Sequence, residues 1–166
     1  MTLLSFQASA DIVAIEQLKA RYAMFADAKY RPNHSQAEPH VLAEAARGQA
    51  SCFTEDAYWD AGAEFGGILH GRSALEDFFS NPPWRYAVHF YASPMFEKVG
   101  DRATAIWRLW QICLPLDQNE PILLAATTQE EFVKTSKGWL HQRVRFKTLD
   151  RLPVPGGQLQ ALGQQI

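Results

Sequence analysis

Two residues of this chain could carry acid–base chemistry on a bound molecule, Asp27 and His89. A neutral histidine accepts a proton near pH 7, and a carboxylate bonded to its other ring nitrogen would fix the tautomer and stabilise the imidazolium that forms. Asp27 is expected near the end of a helix, where a negative charge opposes the helix dipole, and this mild anomaly favours a functional role. The two residues are 62 positions apart, so they form one unit only if the fold brings them together.

Each candidate also has a structural interpretation. His89 falls in a predicted strand, where a histidine bonded to backbone groups is common, and Asp27 could simply face solvent. Tyr22 lies on the apolar stripe of the predicted first helix, which favours core packing, although its phenol could bind a substrate oxygen or leaving group. Tyr22 and Asp27 point about 140° apart around the helix, so both reach one cavity only if a sheet wraps much of it.

Aromatic residues make up 12% of the chain and include five Trp. Large rigid apolar faces suit a cavity for a flat hydrophobic ligand, although a packed core or an oligomer interface would use them equally well. The candidate substrate-binding residues are Trp59, Phe65, Phe79, Tyr91, Trp107, Trp110, Arg145 and Phe146.

The last predicted strand leaves one question about this pocket open. Strict alternation places Trp139, His141, Arg143 and Arg145 on one face, and Leu140, Val144 and Phe146 on the other. The arginines then either enter the pocket or form the solvent face.

Composition and motifs argue against several classes of function. A formal charge of -2 gives no basic footprint for nucleic acid, and no run approaches the ~20 apolar residues of a membrane span. The first residues do not resemble a signal peptide, and the two cysteines fit buried inert thiols, so we expect a reducing, cytoplasmic setting. His34, His40 and His70 lack metal-ligand spacing, and no phosphate loop or nucleophile elbow is present, which predicts no metal and no cofactor.

Periodicity predicts helices first and long strands afterwards, which is an α+β order. We expect helices over about 10–28, 39–52 and 73–79, short strands at 57–60 and 68–70, and long strands over 86–99, 102–115, 122–134 and 138–149. The short connections predict an antiparallel meander, a curved sheet wrapped around the N-terminal helices. We expect a single domain over 1–166 with its core at about 10–149 and a tail at 150–166 that is loosely held or packed on a neighbouring subunit.

Several short motifs follow one another in a characteristic order. They are the run Ile15–Ala23 with Asp27, Phe53–Ala57, Gly71-Arg72 followed by Phe78-Phe79, His89-Phe90, Gly100–Ala105 and Gly138-Trp139. Together they resemble the SnoaL-like family of the nuclear-transport-factor-2-like superfamily over roughly residues 10–149. The resemblance implies a cone-shaped α+β barrel, in which a bent sheet wraps a long helix and leaves a ligand pocket at the open end.

Within that superfamily the pattern is most similar to the branch of scytalone dehydratase, bile-acid dehydratase and hexachlorocyclohexane dehydrochlorinase. Those enzymes use an Asp near the end of the first helix and a His on the first long strand, and Asp27 and His89 occupy these places. Tyr22 matches a pocket tyrosine of some members. The link over 29–47 is longer than usual and could cover or reshape the pocket mouth, so no relative's substrate is transferred to this chain.

Three functions are compatible with these features. The leading one is a cofactor-independent lyase or isomerase, dehydratase-like, that acts on a small hydrophobic cyclic molecule through Asp27, His89 and Tyr22. The second is a non-catalytic carrier of such a ligand, and the third is a structural subunit like the β subunit of ring-hydroxylating dioxygenases. We expect a homodimer or homotrimer, because open curved sheets of this class usually bury their outer face against a copy.

Overall fold

The structure is a computed structural model that describes residues 6–160. Three α-helices and six strands form this part of the chain, together with one short 3-10 helix at Ala63–Phe65. In chain order they are α1 Phe6–Asp27, α2 Pro39–Ala50, β1 Phe53–Asp60, β2 Ile68–His70, α3 Arg72–Phe79, β3 Trp84–Lys98, β4 Arg102–Pro115, β5 Ile122–Thr135 and β6 Gly138–Pro153. The expected α+β class and the SnoaL-like cone are confirmed, with the helices on the concave side of a curved, unclosed sheet.

The sheet has the strand order β2-β1-β6-β5-β4-β3. Strands β3 to β6 form the predicted antiparallel meander. The prediction was wrong about β1, which starts at Phe53 rather than Ala57 and pairs in parallel with β6, so that the sheet is mixed. A parallel pair requires a long crossover, and nothing near β1 in the sequence marks a partner more than eighty residues away.

Strand β6 contains a β-bulge that changes which side chains face inward. Phe132 of β5 pairs with His141 and Glu131 pairs with Arg143, so Gln142 is an extra residue in the ladder. A bulge residue shifts the alternation by one position. Trp139 and His141 are buried before it and Val144 after it, and the faces expected from strict alternation were therefore wrong.

Helix α1 starts about four residues earlier than predicted. It begins at Phe6, so Ser9 and Asp11 lie inside the helix. Asp11 is buried and accepts hydrogen bonds from Lys134 Nζ at 2.7 Å and Trp139 Nε1 at 3.1 Å. These contacts tie the first helix to the hairpin of β5 and β6.

One polar cluster lies within the apolar core, and we call it the core polar cluster (Lys19, Thr128, Glu130 and His141). Glu130 contacts Lys19 Nζ at 2.5 Å, Thr128 Oγ1 at 2.6 Å and His141 Nδ1 at 3.2 Å. Burial raises the pKa of Glu130, but Lys19 and then His141 outweigh it and lower the pKa to about 2. Burial also lowers the pKa of His141, against the opposing effect of Glu130. The carboxylate is thus held ionised in the core.

The two cysteines and the tail complete the fold. Cys52 and Cys113 are free and buried, as expected, and burial raises the pKa of the Cys113 thiol to about 12. The tail is held more firmly than expected: Val154 N donates to Pro121 O at 3.0 Å and Gly156 N to Glu120 Oε1 at 2.9 Å. The last six residues of the expected tail, 161–166, lie outside the described part. No helix within residues 6–160 is long and apolar enough to span a membrane.

Candidate active site

Asp27 and His89 are in direct contact. Asp27 is the last residue of α1 and His89 lies in the first half of β3, which packs against that helix. The Nδ1 atom of His89 lies 2.7 Å from Asp27 Oδ1, and the backbone N–H of His89 donates to the same oxygen at 3.1 Å. One carboxylate oxygen thus contacts both the ring and the main chain of the histidine, which fixes the ring against the end of the helix.

This contact leaves the other ring nitrogen available. With Nδ1–H donating to Asp27, Nε2 carries a lone pair and can accept a proton, and the carboxylate stabilises the imidazolium that results. The side chain of His89 is 14% exposed and that of Asp27 32% exposed. The pair is therefore accessible to small molecules and water.

His89 lines a cavity of about 650 Å³ of atom-free space, part of it open to solvent. Five of the predicted substrate-binding residues line it: Trp59, Phe65, Phe79, Tyr91 and Phe146. The cavity wall is thus largely aromatic on several sides of the histidine.

The other three predicted substrate-binding residues do not line this cavity. Trp107 is buried elsewhere in the core, where its ring packs edge-on to Phe96. Trp110 lies on the opposite face of β4 and is 50% exposed. Arg145 points outward after the Gln142 bulge, with its Nε 3.6 Å from Asp60 Oδ2.

Tyr22 packs in the core and also lines the cavity. Its ring is buried and packs against Phe53 and Phe79. Burial raises the pKa of its hydroxyl. The phenol is therefore a neutral donor at physiological pH.

Two polar cavity residues, Lys29 and Gln49, were missed by the sequence reasoning. Lys29 is the first residue of the long link over 29–47 and was not a candidate site residue, yet it is only 5% exposed. Gln49 lies on the same buried face of α2 as Ala45 and Ala46. A polar residue at this helical spacing was the signal in the sequence that could have identified it as a cavity residue. The long link after α1 thus supplies part of the cavity wall, Lys29 and Tyr30, rather than only a cover.

A groove runs along α1 and β3 and reaches Asp27 and His89. Lys19, Met24 and Asp27 line it from the helix, and His89 and Trp107 from the sheet. His89 therefore borders the cavity on one side and this groove on the other. Among the described residues no three His, Cys, Asp or Glu side chains are grouped to hold a metal ion.

The sequence profile of the SnoaL-like domain matches residues 41–145. The chain belongs to the SnoaL-like domain family. This confirms the resemblance drawn from the motifs. No curated protein sequence matches the chain.

Solved structures share the fold of this SnoaL-like chain at low identity. A type 2 hexachlorocyclohexane dehydrochlorinase is 19% identical with a TM-score of 0.71, over 93% of this chain and 96% of that one. A type 3 enzyme of the same name from Novosphingobium barchaimii is 20% identical with a TM-score of 0.69, over 91% and 94%. A candidate scytalone dehydratase from Novosphingobium aromaticivorans is 16% identical with a TM-score of 0.70, over 95% and 96%. At these identities the likeness establishes the SnoaL-like fold alone.

Proposed function

We propose that this SnoaL-like protein is a cofactor-independent lyase or isomerase of the dehydratase type, acting on a small hydrophobic cyclic molecule. The observation that carries the proposal is the 2.7 Å contact between Asp27 and His89 at the wall of an aromatic cavity. Two structural neighbours named as dehydrochlorinases and one named as a candidate scytalone dehydratase support the same reaction class.

In this proposal His89 is the general base. Its Nε2 removes a proton from a ring carbon, and Asp27 stabilises the imidazolium. The leaving group departs from the neighbouring carbon, and Tyr22 is placed to donate a hydrogen bond to it or to a substrate oxygen. The aromatic wall holds the ring in one orientation.

A direct test measures elimination from two cyclic compounds. The purified protein is incubated with 3-hydroxycyclohexanone or γ-hexachlorocyclohexane, and the unsaturated product is followed by gas chromatography. His89→Gln should lower the rate by about 10²–10⁴-fold, the usual contribution of a general base. His70→Gln is the matched control, because His70 is exposed on β2. Equal rates for His89→Gln and wild type would contradict the proposal.

The alternative of a non-catalytic carrier uses the same cavity and makes a different prediction. A carrier binds cyclic ligands, which quench the fluorescence of a cavity tryptophan such as Trp59, with similar affinity in wild type and His89→Gln. If ligand binding is present and neither compound is converted, the carrier interpretation is favoured. A structural-subunit role would instead require stable co-purification with a larger iron-containing chain.

We also propose that the chain forms a homodimer or homotrimer through the outer face of the sheet. Phe90 and Trp110 are paired across β3 and β4 and are 53% and 50% exposed. Adjacent large apolar side chains are uncommon on surfaces that remain uncovered. Light scattering on wild type and on Trp110→Glu tests this, and a monomeric wild type would refute it.

A further inference from the structure

The wall of the cavity is sealed on one part and in contact with solvent on another. Trp59 and Phe79 belong to the sealed part and are at most 5% exposed. Phe65 and Trp84 are half-buried wall residues, and Pro83 beside them is exposed. The rings of Phe65 and Trp84 pack together, with 5.9 Å between their centroids. The entrance to the cavity therefore lies beside this pair of rings.

Phe65 belongs to the turn between β1 and β2, which we call the flap (residues 62–67). The backbone N–H groups of Phe65 and Gly67 both donate to Gly62 O, at 3.1 and 2.8 Å. Every hydrogen bond described for the flap ends within residues 60–67. The flap is thus a small unit with hydrogen bonds of its own.

Glycines stand at both ends of the flap in backbone conformations that other residues rarely adopt. Gly62 has φ 75° and ψ 168°, and Gly67 has φ 66°. A side chain would have room at either position, since a Cβ would meet no atom within 4 Å. The backbone, and not the packing, therefore requires glycine here, and glycine moves between such conformations at little steric cost. Residues that absorb changes in φ and ψ at the ends of a segment act as hinges.

Apolar contacts hold the flap against the rest of the molecule. Phe65 packs on Trp84, and Gly66 lies against the ring of Phe78, where an added Cβ would come within 2.7 Å of Cε2. Outward movement of the flap breaks these contacts but none of the described hydrogen bonds to other elements. Segments held in this way open locally at a small part of the free energy of global unfolding.

We infer that the flap is the gate of the cavity. Phe65 swings away from Trp84 about Gly62 and Gly67, a ligand enters between the two rings, and Phe65 then closes over it. The gate serves a lyase and a carrier alike, so the inference goes beyond the proposed function and does not depend on it. It also makes Phe65 the residue that limits the width of the molecules admitted.

The first test measures how fast a flat ring enters the cavity. The probe is 4-nitroanisole, whose absorbance overlaps tryptophan emission, so that binding beside Trp59 and Trp84 quenches fluorescence in a stopped-flow experiment. Phe65→Ala should raise the association rate constant about tenfold or more, because minor open forms are typically populated at about 0.1–10%. The dissociation rate constant should rise as well. Leu109→Val is the matched control, since Leu109 lines the sealed wall from β4, and it should change the dissociation rate constant alone.

Gly62→Ala tests the hinge without touching the cavity wall. A residue with a side chain disfavours φ 75° and ψ 168°, so the substitution destabilises the closed flap relative to the open one. The association rate constant should therefore rise about fivefold or more. Gly156→Ala is the matched control, because Gly156 also has a positive φ of 69° and room for a Cβ but lies outside the flap. This control should leave the association rate constant unchanged.

The second test needs no ligand. The protein is labelled with 5-fluorotryptophan, and the fluorine NMR resonance of Trp84 is assigned with Trp84→Phe. In Gly62→Ala this resonance should move from its wild-type position towards its position in Phe65→Ala, because in both variants Trp84 loses contact with the Phe65 ring. Gly156→Ala should leave it in place. Circular dichroism and thermal unfolding confirm that each variant is folded.

Two results would overturn the inference. The first is a faster dissociation of 4-nitroanisole from Phe65→Ala with no faster association, which is the behaviour of a residue in a fixed wall. The second is a Trp84 resonance that stays at its wild-type position in Gly62→Ala. Neither measurement depends on turnover, so failure of the gate and failure of the elimination assay are distinguishable.

Discussion

The molecule contains two carboxylate–histidine pairs, and they are built for different purposes. Asp27 and His89 meet at the wall of the cavity with side chains 32% and 14% exposed, whereas Glu130 and His141 are both fully buried. In the cavity pair, Asp27 contacts the Nδ1 atom of His89, and the other ring nitrogen, Nε2, is available to a bound molecule. Glu130 is surrounded by Lys19, Thr128 and His141 and lines neither the cavity nor the groove described above.

The contrast shows that acid–base chemistry depends on access as well as on residue type. A histidine sealed in the core cannot exchange a proton with a ligand, and its carboxylate serves to neutralise a buried lysine. A histidine at a cavity wall can accept a proton and lose it again to water. Both histidines contact a carboxylate. The candidate catalytic pair differs from the structural pair because its histidine borders the cavity.

Asp27→Asn should have the largest effect on activity. Loss of the carboxylate removes the group that orients His89 and stabilises its protonated form, so turnover should fall about 10²–10⁴-fold while the unfolding midpoint changes little. Asp56→Asn is the control, because Asp56 is an exposed residue of β1 that lines neither the cavity nor the groove. Turnover within a factor of two of wild type would place Asp27 outside the mechanism.

Glu130→Ala should produce the reverse pattern, a loss of stability. It leaves the buried Lys19 without its ion-pair partner, which costs about 3–5 kcal/mol of unfolding free energy. Glu131→Ala is the matched control, because its side chain is 44% exposed on the other face of the same strand. Urea unfolding of both variants tests this prediction. Equal midpoints would show that the ion pair of Glu130 with Lys19 does not stabilise the fold.

Acid should weaken the fold through the core polar cluster. His141 has a lowered pKa, so stability begins to fall as the pH drops below the ordinary histidine value of 6.5. Glu130 has a pKa lowered to about 2 from 4.5, so its contribution is present above pH 4.5 and is lost as the pH approaches 2. Urea midpoints between pH 7 and 3 measure this, and Glu130→Gln should flatten the lower part of the profile.

Arg145→Ala should have the smallest effect. Its side chain is 41% exposed and pairs with Asp60 on the outer face, and exposed ion pairs contribute about 0–1 kcal/mol. Turnover of 3-hydroxycyclohexanone and γ-hexachlorocyclohexane should be unchanged, because Arg145 does not line the cavity. A clear loss of turnover would mean that the arginine reaches the bound molecule.

Much of the fold was predictable because its signals are local. Gly100-Asp101 and Lys137-Gly138 mark hairpin turns, and the strands on either side were placed within a few residues of their observed ends. The parallel partner of β1 and the bulge at Gln142 depend on contacts between distant strands, and no nearby residue encodes them.

The candidate site shows the same division. Asp27 and His89 were found through the order of motifs, since 62 intervening residues conceal their contact. Lys29 was missed because a lysine in a polar link is usually exposed, and its burial arises only where the ends of three helices meet. The order of motifs indicated the base and its partner. The polar residues Lys29 and Gln49 of the same cavity could be identified only from the tertiary structure.

The bulge in β6 has a consequence for how such a protein could diversify. Deleting Gln142 would restore regular alternation from Trp139 to Phe146 and leave Val144 and Phe146 on the inner face of the sheet. Deleting Val144 instead would move the outward-facing Arg145 to an inward position and displace Phe146 to the outside. Loss of a single residue at or near the bulge thus either keeps Phe146 in the cavity wall or removes it and places an arginine on the inner face of the sheet.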